Sequence, residues 1–155
     1  DSFTTPANAR FIRFQTFQSD SSASVHDLDM YVYRAAPGSS TYSLVLSSGG
    51  PDANEVTSSN STGSLAQGAQ FKVYIHGCGV DAGGGSFTLF AWALTTTPSD
   101  PWTTPPATSP VTVGQTLNEN YSWSNLPAGN RYLARVTYDD GAAGIAATNI
   151  ELSTR

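Results

Sequence analysis

Asp27 and Asp29 stand two residues apart in the run His26-Asp27-Leu28-Asp29-Met30-Tyr31-Val32-Tyr33, where two acids and two tyrosines alternate with Leu28, Met30 and Val32. A β-strand sends successive side chains to opposite faces. The alternation therefore predicts a strand over 27–34, with Asp27, Asp29, Tyr31 and Tyr33 on one face and the aliphatics in a core on the other. Two carboxylates so placed point the same way, about 7 Å apart along the chain. Paired acids cleave glycosides when they flank a cleft. Side by side on a strand, with loop carbonyls near, they suit a hard cation better. Calcium takes roughly six to eight oxygens, backbone carbonyls among them. Asp27 and Asp29 are thus the candidate calcium ligands, and Asp20, Asp52, Glu55 and Asp81 are further acids in or near expected loops. No EF-hand spacing occurs.

Nucleophilic catalysis needs a nucleophile, a base and an orienting group in contact. Serines abound, but the chain has only two histidines, His26 and His76, and no G-x-S-x-G motif. The segment His76-Gly77-Cys78-Gly79-Val80 has a superficial likeness to the histidine box of subtilisin-like proteases, in which the histidine opens a helix. Here a strand pattern precedes His76, and Gly83-Gly84-Gly85 follows and disfavours a helix. Matching aspartate and serine boxes are absent. His76 reads as a strand-end histidine with a structural hydrogen bond, and the chain itself as non-enzymatic. Cys78 is the single cysteine, so no internal disulfide forms. It reads as a small buried apolar residue. The runs Ser48-Gly49-Gly50-Pro51 and Gly83-Gly84-Gly85 match no phosphate-binding motif. Asn60-Ser61-Thr62 and Asn120-Tyr121-Ser122 are sequons, which matter only in a eukaryotic secretory pathway.

Aromatic side chains are the remaining candidates. Tyr31, Tyr33, Tyr42 and Tyr74 fall on predicted strands, and Trp102 lies in a proline-rich stretch. Rows of flat aromatic faces bind polysaccharide or fibrous protein, which makes Tyr31, Tyr33, Tyr74 and Trp102 the candidate substrate-binding residues. The plainer alternative is sheet-face packing, since aromatics are enriched in ordinary strands.

No stretch carries a helical period. Apolar residues alternate or come in short runs, and Gly, Ser, Asn and Pro interrupt them about every ten residues, which predicts an all-β, antiparallel sandwich. Strands are expected over 10–17, 27–34, 41–47, 54–58, 69–76 and 86–94. The last is apolar on both faces, with Phe87, Leu89 and Ala91 on one and Phe90, Trp92 and Leu94 on the other, so it is expected to be a central, doubly covered strand. Residues 96–110 hold five of the nine prolines and read as a stiff Pro/Thr-rich linker or long crossover. Beyond it, strands are expected over 111–113, 117–123, 131–138 and 144–152. The organisation is then a sandwich over 1–95, the linker over 96–110 and a small C-terminal β unit over 111–155, of immunoglobulin- or fibronectin-like kind. That last unit is short for an independent core. It is expected to pack against the first unit, or to be part of an immunoglobulin-like sandwich whose other strands lie elsewhere, with Leu133, Val136, Ile145 and Ile150 as its core.

The chain has 155 residues, 12% of them charged, with a net charge of −5. No basic cluster is present to neutralise phosphates, which argues against nucleic acid. No apolar run approaches the roughly 20 residues of a membrane span. Lys72 is the single lysine, and the lysine-poor, hydroxyl-rich composition points to a secreted protein. The chain begins at Asp1 without a signal peptide, as expected of a mature chain or a piece of a longer one.

Four motifs in order now acquire a joint meaning. Asp27-Leu28-Asp29-Met30-Tyr31-Val32-Tyr33, Asn54-Glu55-Val56, Phe71-Lys72-Val73-Tyr74-Ile75-His76-Gly77 and Phe87-Thr88-Leu89-Phe90-Ala91-Trp92 form a series. It resembles the pre-peptidase C-terminal (PPC-like) β-sandwich found behind the catalytic domain of secreted bacterial subtilisin-like serine proteases. The tail Trp123-Ser124-Asn125-Leu126-Pro127-Ala128-Gly129-Asn130-Arg131-Tyr132-Leu133 looks like the segment that ends many of them. The match spans roughly residues 3–152. The resemblance implies a jelly-roll-like module without catalytic residues, partnered with the parent protease domain and serving secretion, stability or capture of insoluble protein or polysaccharide. It also implies calcium at the positions of Asp27 and Asp29. The chain departs from the pattern at Cys78, where the family would carry a tryptophan. The competing expectation is a free-standing carbohydrate-binding or adhesive β-sandwich.

Overall fold

The run His26–Tyr33 folds within one strand in which Leu28, Met30 and Val32 are sealed from water. The computed structural model describes residues 1–97, 102–103, 110–142 and 144–155. The described residues contain no α-helix. They form eleven strands and one 3₁₀ turn at Gln18–Asp20. In chain order the strands are β1 (Ser2–Thr4), β2 (Ala9–Gln15), β3 (Val25–Ala35), β4 (Ser43–Gly49), β5 (Val56–Ser59), β6 (Gln70–Val80), β7 (Phe90–Thr95), β8 (Trp102–Thr103), β9 (Ser122–Trp123), β10 (Arg131–Asp139) and β11 (Gly144–Ser153). Two compact units result, Asp1–Thr96 and Thr97–Arg155. No helix among the described residues is long and apolar enough to cross a membrane.

The first unit is an antiparallel β-sandwich. A four-stranded sheet in the order β1-β6-β3-β4 faces a three-stranded sheet in the order β5-β2-β7. Leu28, Met30 and Val32 point inward from β3 and are fully buried, as the alternation predicts. Met30 and Val32 join Phe71 and Val73 of β6, Ile12 and Phe14 of β2, Leu65 and Ala69 in one core. Phe14 sits at its centre, with ring centroids 5.8 Å from Phe3 and 5.7 Å from Phe71. Such aromatic contacts add to the area term that dominates folding. A satellite cluster of Val25, Leu28 and Ala53 closes one end. There the Thr16 hydroxyl donates to the Ala53 carbonyl (2.8 Å) and accepts from the Glu55 amide (3.2 Å).

The doubly covered strand is β2, where Phe11 through Gln15 are all buried. The expectation for 86–94 is corrected. Only Phe90–Thr95 is a strand, and it lies at the edge of its sheet. Residues before it are drawn away by the glycine-rich loop: Ser86 exchanges hydrogen bonds with Ser22 rather than with a neighbouring strand. Phe87 is consequently exposed.

In the second unit β10 and β11 form a two-stranded antiparallel ribbon, and β8 pairs with β9, Trp102 opposite Trp123. The strand expected at 111–113 is absent, with Val111 and Val113 exposed, and that expected over 117–123 shrinks to Ser122–Trp123. Leu133 is buried and Val136 and Ile150 are partly so. Ile145 is 67% exposed, contrary to its expected core role. It lies beside the register shift at Tyr138/Asp139, and a two-stranded ribbon has no second layer to cover every apolar position. Of the proline-rich stretch, residues 98–101 and 104–109 lie outside the described residues.

Candidate functional site

Register on the outer face of the four-stranded sheet decides which side chains meet. Across the β3–β6 ladder Asp29 lies opposite His76, Tyr31 opposite Tyr74, and Tyr33 opposite Lys72. On the other side of β3, Gly49 lies opposite Asp29. Cross-strand partners of this kind stand close enough to interact directly. The face divides into an aromatic end and a polar end, with Tyr31 between them.

At the aromatic end, Tyr33 and Tyr74 meet edge to face, centroids 5.5 Å apart and planes at 83°. The Lys72 ammonium lies 4.3 Å from the centre of the Tyr42 ring, whose hydroxyl donates to Gln70 Oε1 at 2.6 Å. Tyr31, Tyr33, Tyr42, Lys72 and Tyr74 line an open groove of about 560 Å³. Tyr74 leaves 55% of its surface in water. Three of the four sequence-expected binding residues are thus brought together, and Tyr42 and Lys72 join them. Trp102 belongs to the second unit, where its ring stacks on Tyr121 (5.6 Å) and Trp123 (6.4 Å).

The polar end is made by a bulge. Leu28 pairs with Gly77 and Asp27 with Gly79, so Cys78 is the extra residue of β6. Cys78 has the parity of Tyr74 and His76, so it lies on the outer face, and the bulge leaves it without an opposing residue on β3. Its Sγ donates to Asp29 Oδ2 at 3.0 Å and lies 3.2 Å from His76 Nδ1. The Tyr31 hydroxyl donates to the same Oδ2 at 3.2 Å. His76 Nδ1 is 3.9 Å from that oxygen. The expectation of a buried, apolar Cys78 is therefore corrected: the thiol is exposed and polar in its contacts. Gly49 makes room for the carboxylate, since a Cβ there would stand 2.6 Å from Asp29 Oδ1.

The electrostatics follow from these contacts. The hydrogen bond from Cys78 is the main reason that Asp29 is held below its ordinary 3.8, and burial opposes it. The same hydrogen bond, with desolvation and the Asp29 charge, pushes Cys78 up to about 11, and the charges of Asp27 and Glu55 add to the shift. Tyr31 is raised by its bond to Asp29. A cysteine nucleophile needs the reverse, a thiolate stabilised by cations or a protonated histidine. At neutral pH Cys78 is a protonated thiol lying against a carboxylate, an arrangement that stores donor atoms rather than an activated nucleophile.

Of the two expected calcium ligands, Asp29 accepts both the Tyr31 and the Cys78 bond on one oxygen, Oδ2. Asp27 Oδ1 is buried without a hydrogen-bond partner. Glu55 is fully buried, its Oε1 accepting from the Gly50 amide at 2.8 Å and its Oε2 left without a partner. Buried, uncompensated carboxylate oxygens are costly. The other acids have protein partners: Asp52 Oδ1 accepts from the Asn54 amide (2.8 Å), and Asp81 Oδ1 meets His26 Nε2 at 3.0 Å. The sequence reading missed the joining of His76 and Cys78 to Asp29. The shared parity of Asp27, Asp29, Tyr31 and of Tyr74, His76, Cys78 carried that signal, but only for a reader who knew that these two strands pair. No protein-family model matches the chain, and neither does any curated protein or solved structure.

Proposed function

We propose that the chain is a non-catalytic accessory module of a secreted subtilisin-like protease, and that its tyrosine groove holds extended, proline-rich protein substrate for the parent catalytic domain. The groove of Tyr31, Tyr33, Tyr42 and Tyr74 is the observation that carries this reading. Proline-rich chains are already ordered as polyproline II helices, so aromatic-lined grooves bind them at little entropic cost. The edge-to-face setting of Tyr33 and Tyr74 shapes the groove as a trough rather than a flat shelf. A trough fits prolyl rings with backbone carbonyls beside them. The motif series from Asp27 to Trp92 supports the link to a protease. The raised thiol of Cys78 supports the non-catalytic role. Calcium is proposed at the Asp27 and Asp29 end of β3, where Asp27 keeps a buried, unpartnered Oδ1 that the ion would neutralise.

Retention of the purified chain on insoluble collagen tests the reading, with insoluble chitin beside it. Capture by collagen that is lost in Tyr33→Ala and Tyr74→Ala is the expected result. Retention on chitin alone would favour the carbohydrate-binding alternative. Retention on neither would leave the groove without the role given to it.

A further inference from the structure

We propose that Asp29, His76 and Cys78 form a site for a divalent transition metal of borderline softness, Zn²⁺ being the best match, on the outer face of the four-stranded sheet. The donor atoms are a carboxylate oxygen, an imidazole nitrogen and a sulfur, all within 4.8 Å of one another. Their separations are 3.0 Å (Sγ–Oδ2), 3.2 Å (Sγ–Nδ1) and 3.9 Å (Nδ1–Oδ2). Bond lengths of about 2.0–2.3 Å at tetrahedral angles require ligand atoms roughly 3.3–3.7 Å apart. The triangle is already close to that size, and small side-chain rotations bring it there.

Donor chemistry sets this site apart from a calcium site. Sulfur and imidazole select zinc and its neighbours, whereas calcium and magnesium take oxygen. Asp27, half-buried, offers oxygens only, while His76 and Cys78 bring nitrogen and sulfur and are exposed. Each ligand sits on a strand rather than on a loop: Asp29 on β3, His76 and Cys78 on β6. Ladder pairing fixes Asp29 against His76, and the bulge fixes Cys78 beside both. Strand-borne ligands are held more closely than loop-borne ones. The Tyr31 hydroxyl on the Asp29 carboxylate supplies the outer contact that orients a ligand. On binding, the metal replaces the thiol proton, which leaves to solvent, and the metal–sulfur bond forms without any change of oxidation state. Three protein ligands leave a fourth position for water or a small donor, the pattern of open rather than purely structural zinc sites.

The test uses the full chain, stripped with chelator and kept under reductant, with Co²⁺ as a coloured stand-in for Zn²⁺. One equivalent of Co²⁺ should give a thiolate-to-metal charge-transfer band that Zn²⁺ removes and excess Ca²⁺ does not. Cys78→Ser should abolish the band. His76→Ala keeps the thiol, so it separates a built site from capture by an exposed cysteine, and it should weaken Zn²⁺ binding at least about tenfold. Far-UV circular dichroism of each variant confirms that it folds. A folded chain that gives no band, or a band undiminished in His76→Ala, overturns the proposal.

Discussion

Removing the Asp29 carboxylate should wake the Cys78 thiol. The hydrogen bond to Asp29 is the largest cause of a thiol pushed from its ordinary 9.0 to about 11. In Asp29→Ala both that acceptor and its charge are gone, so the thiol falls back toward 9.0. At pH 8 a thiol near 11 is about one part in a thousand thiolate and one near 9 about one part in ten, a gain of roughly 100-fold in reactive species. A less basic thiolate is also a poorer nucleophile. With a Brønsted slope of roughly 0.4–0.5 over about two units, nearly tenfold of that gain is returned. The net expectation is an alkylation rate about three- to tenfold higher at pH 8, the lower figure allowing for the desolvation that remains. Iodoacetamide labelling followed by mass spectrometry measures it directly, because Cys78 is the single cysteine and is exposed. The rate's pH midpoint should move down with it. An unchanged or slower rate in a folded Asp29→Ala chain would refute the claim that this carboxylate holds the thiol neutral.

The remaining expectations concern stability and ions. Phe14→Ala should destabilise the first unit by about 3–5 kcal/mol in urea titration followed by circular dichroism, while Ile145→Ser, at an exposed position, should stay within about 0.5 kcal/mol of wild type. Gly49→Ala forces a Cβ to 2.6 Å from Asp29 Oδ1, and should cost about 1–3 kcal/mol in the same assay. Calcium at about 100 times its dissociation constant should stabilise the wild type by about 2.7 kcal/mol and Asp27→Asn far less; a melting curve indifferent to both calcium and chelator would remove Asp27 as a cation ligand. Because Asp29 is held below 3.8, its contribution is present above 3.8 and is lost as pH falls through the folded value. Cys78→Ala removes the largest cause of that depression, so the stability gap between it and wild type should be open at neutral pH and close below 3.8. A gap that persists unchanged into acid would point to packing instead.

Period-two alternation made β3 legible residue by residue: Leu28, Met30 and Val32 are buried, and the intervening acid and tyrosines face outward. It worked because one face of that strand is sealed and the other is wet, the condition under which sequence pattern and register constrain each other. It misled at 86–94, where two apolar faces look the same on a central strand and on an edge strand with a partly covered flank. The central strand β2 carries Arg10, Arg13 and Gln15, charged and polar residues that disguise how deeply Arg13 and Gln15 are buried. Ile145 failed for a related reason, since apolar character does not reveal whether a ribbon has a second layer above it. The bulge at Cys78 was beyond a one-strand reading altogether. It is an offset between β3 and β6, at residues about fifty apart in the chain, and becomes visible only when Asp27 is seen opposite Gly79 and Leu28 opposite Gly77.

Tyr31 makes the two ends of the outer face one physical system. Its ring forms part of the groove wall, and its hydroxyl is bonded to Asp29. Asp29 in turn takes the thiol proton of Cys78 as a hydrogen bond. A ligand that shifts the Tyr31 ring must strain or break the bond to the carboxylate, and a change at the carboxylate must be felt at the ring. Linkage requires the two effects to be equal in free energy. The strand period puts Tyr31 two residues from Asp29 on a shared face, the antiparallel partner puts Tyr74 and His76 against that pair, and the bulge adds the sulfur. The adjacency of groove and donor cluster therefore follows from the pairing of β3 with β6. A slip of one residue in that ladder would scatter the tyrosines and the S, N and O donors together.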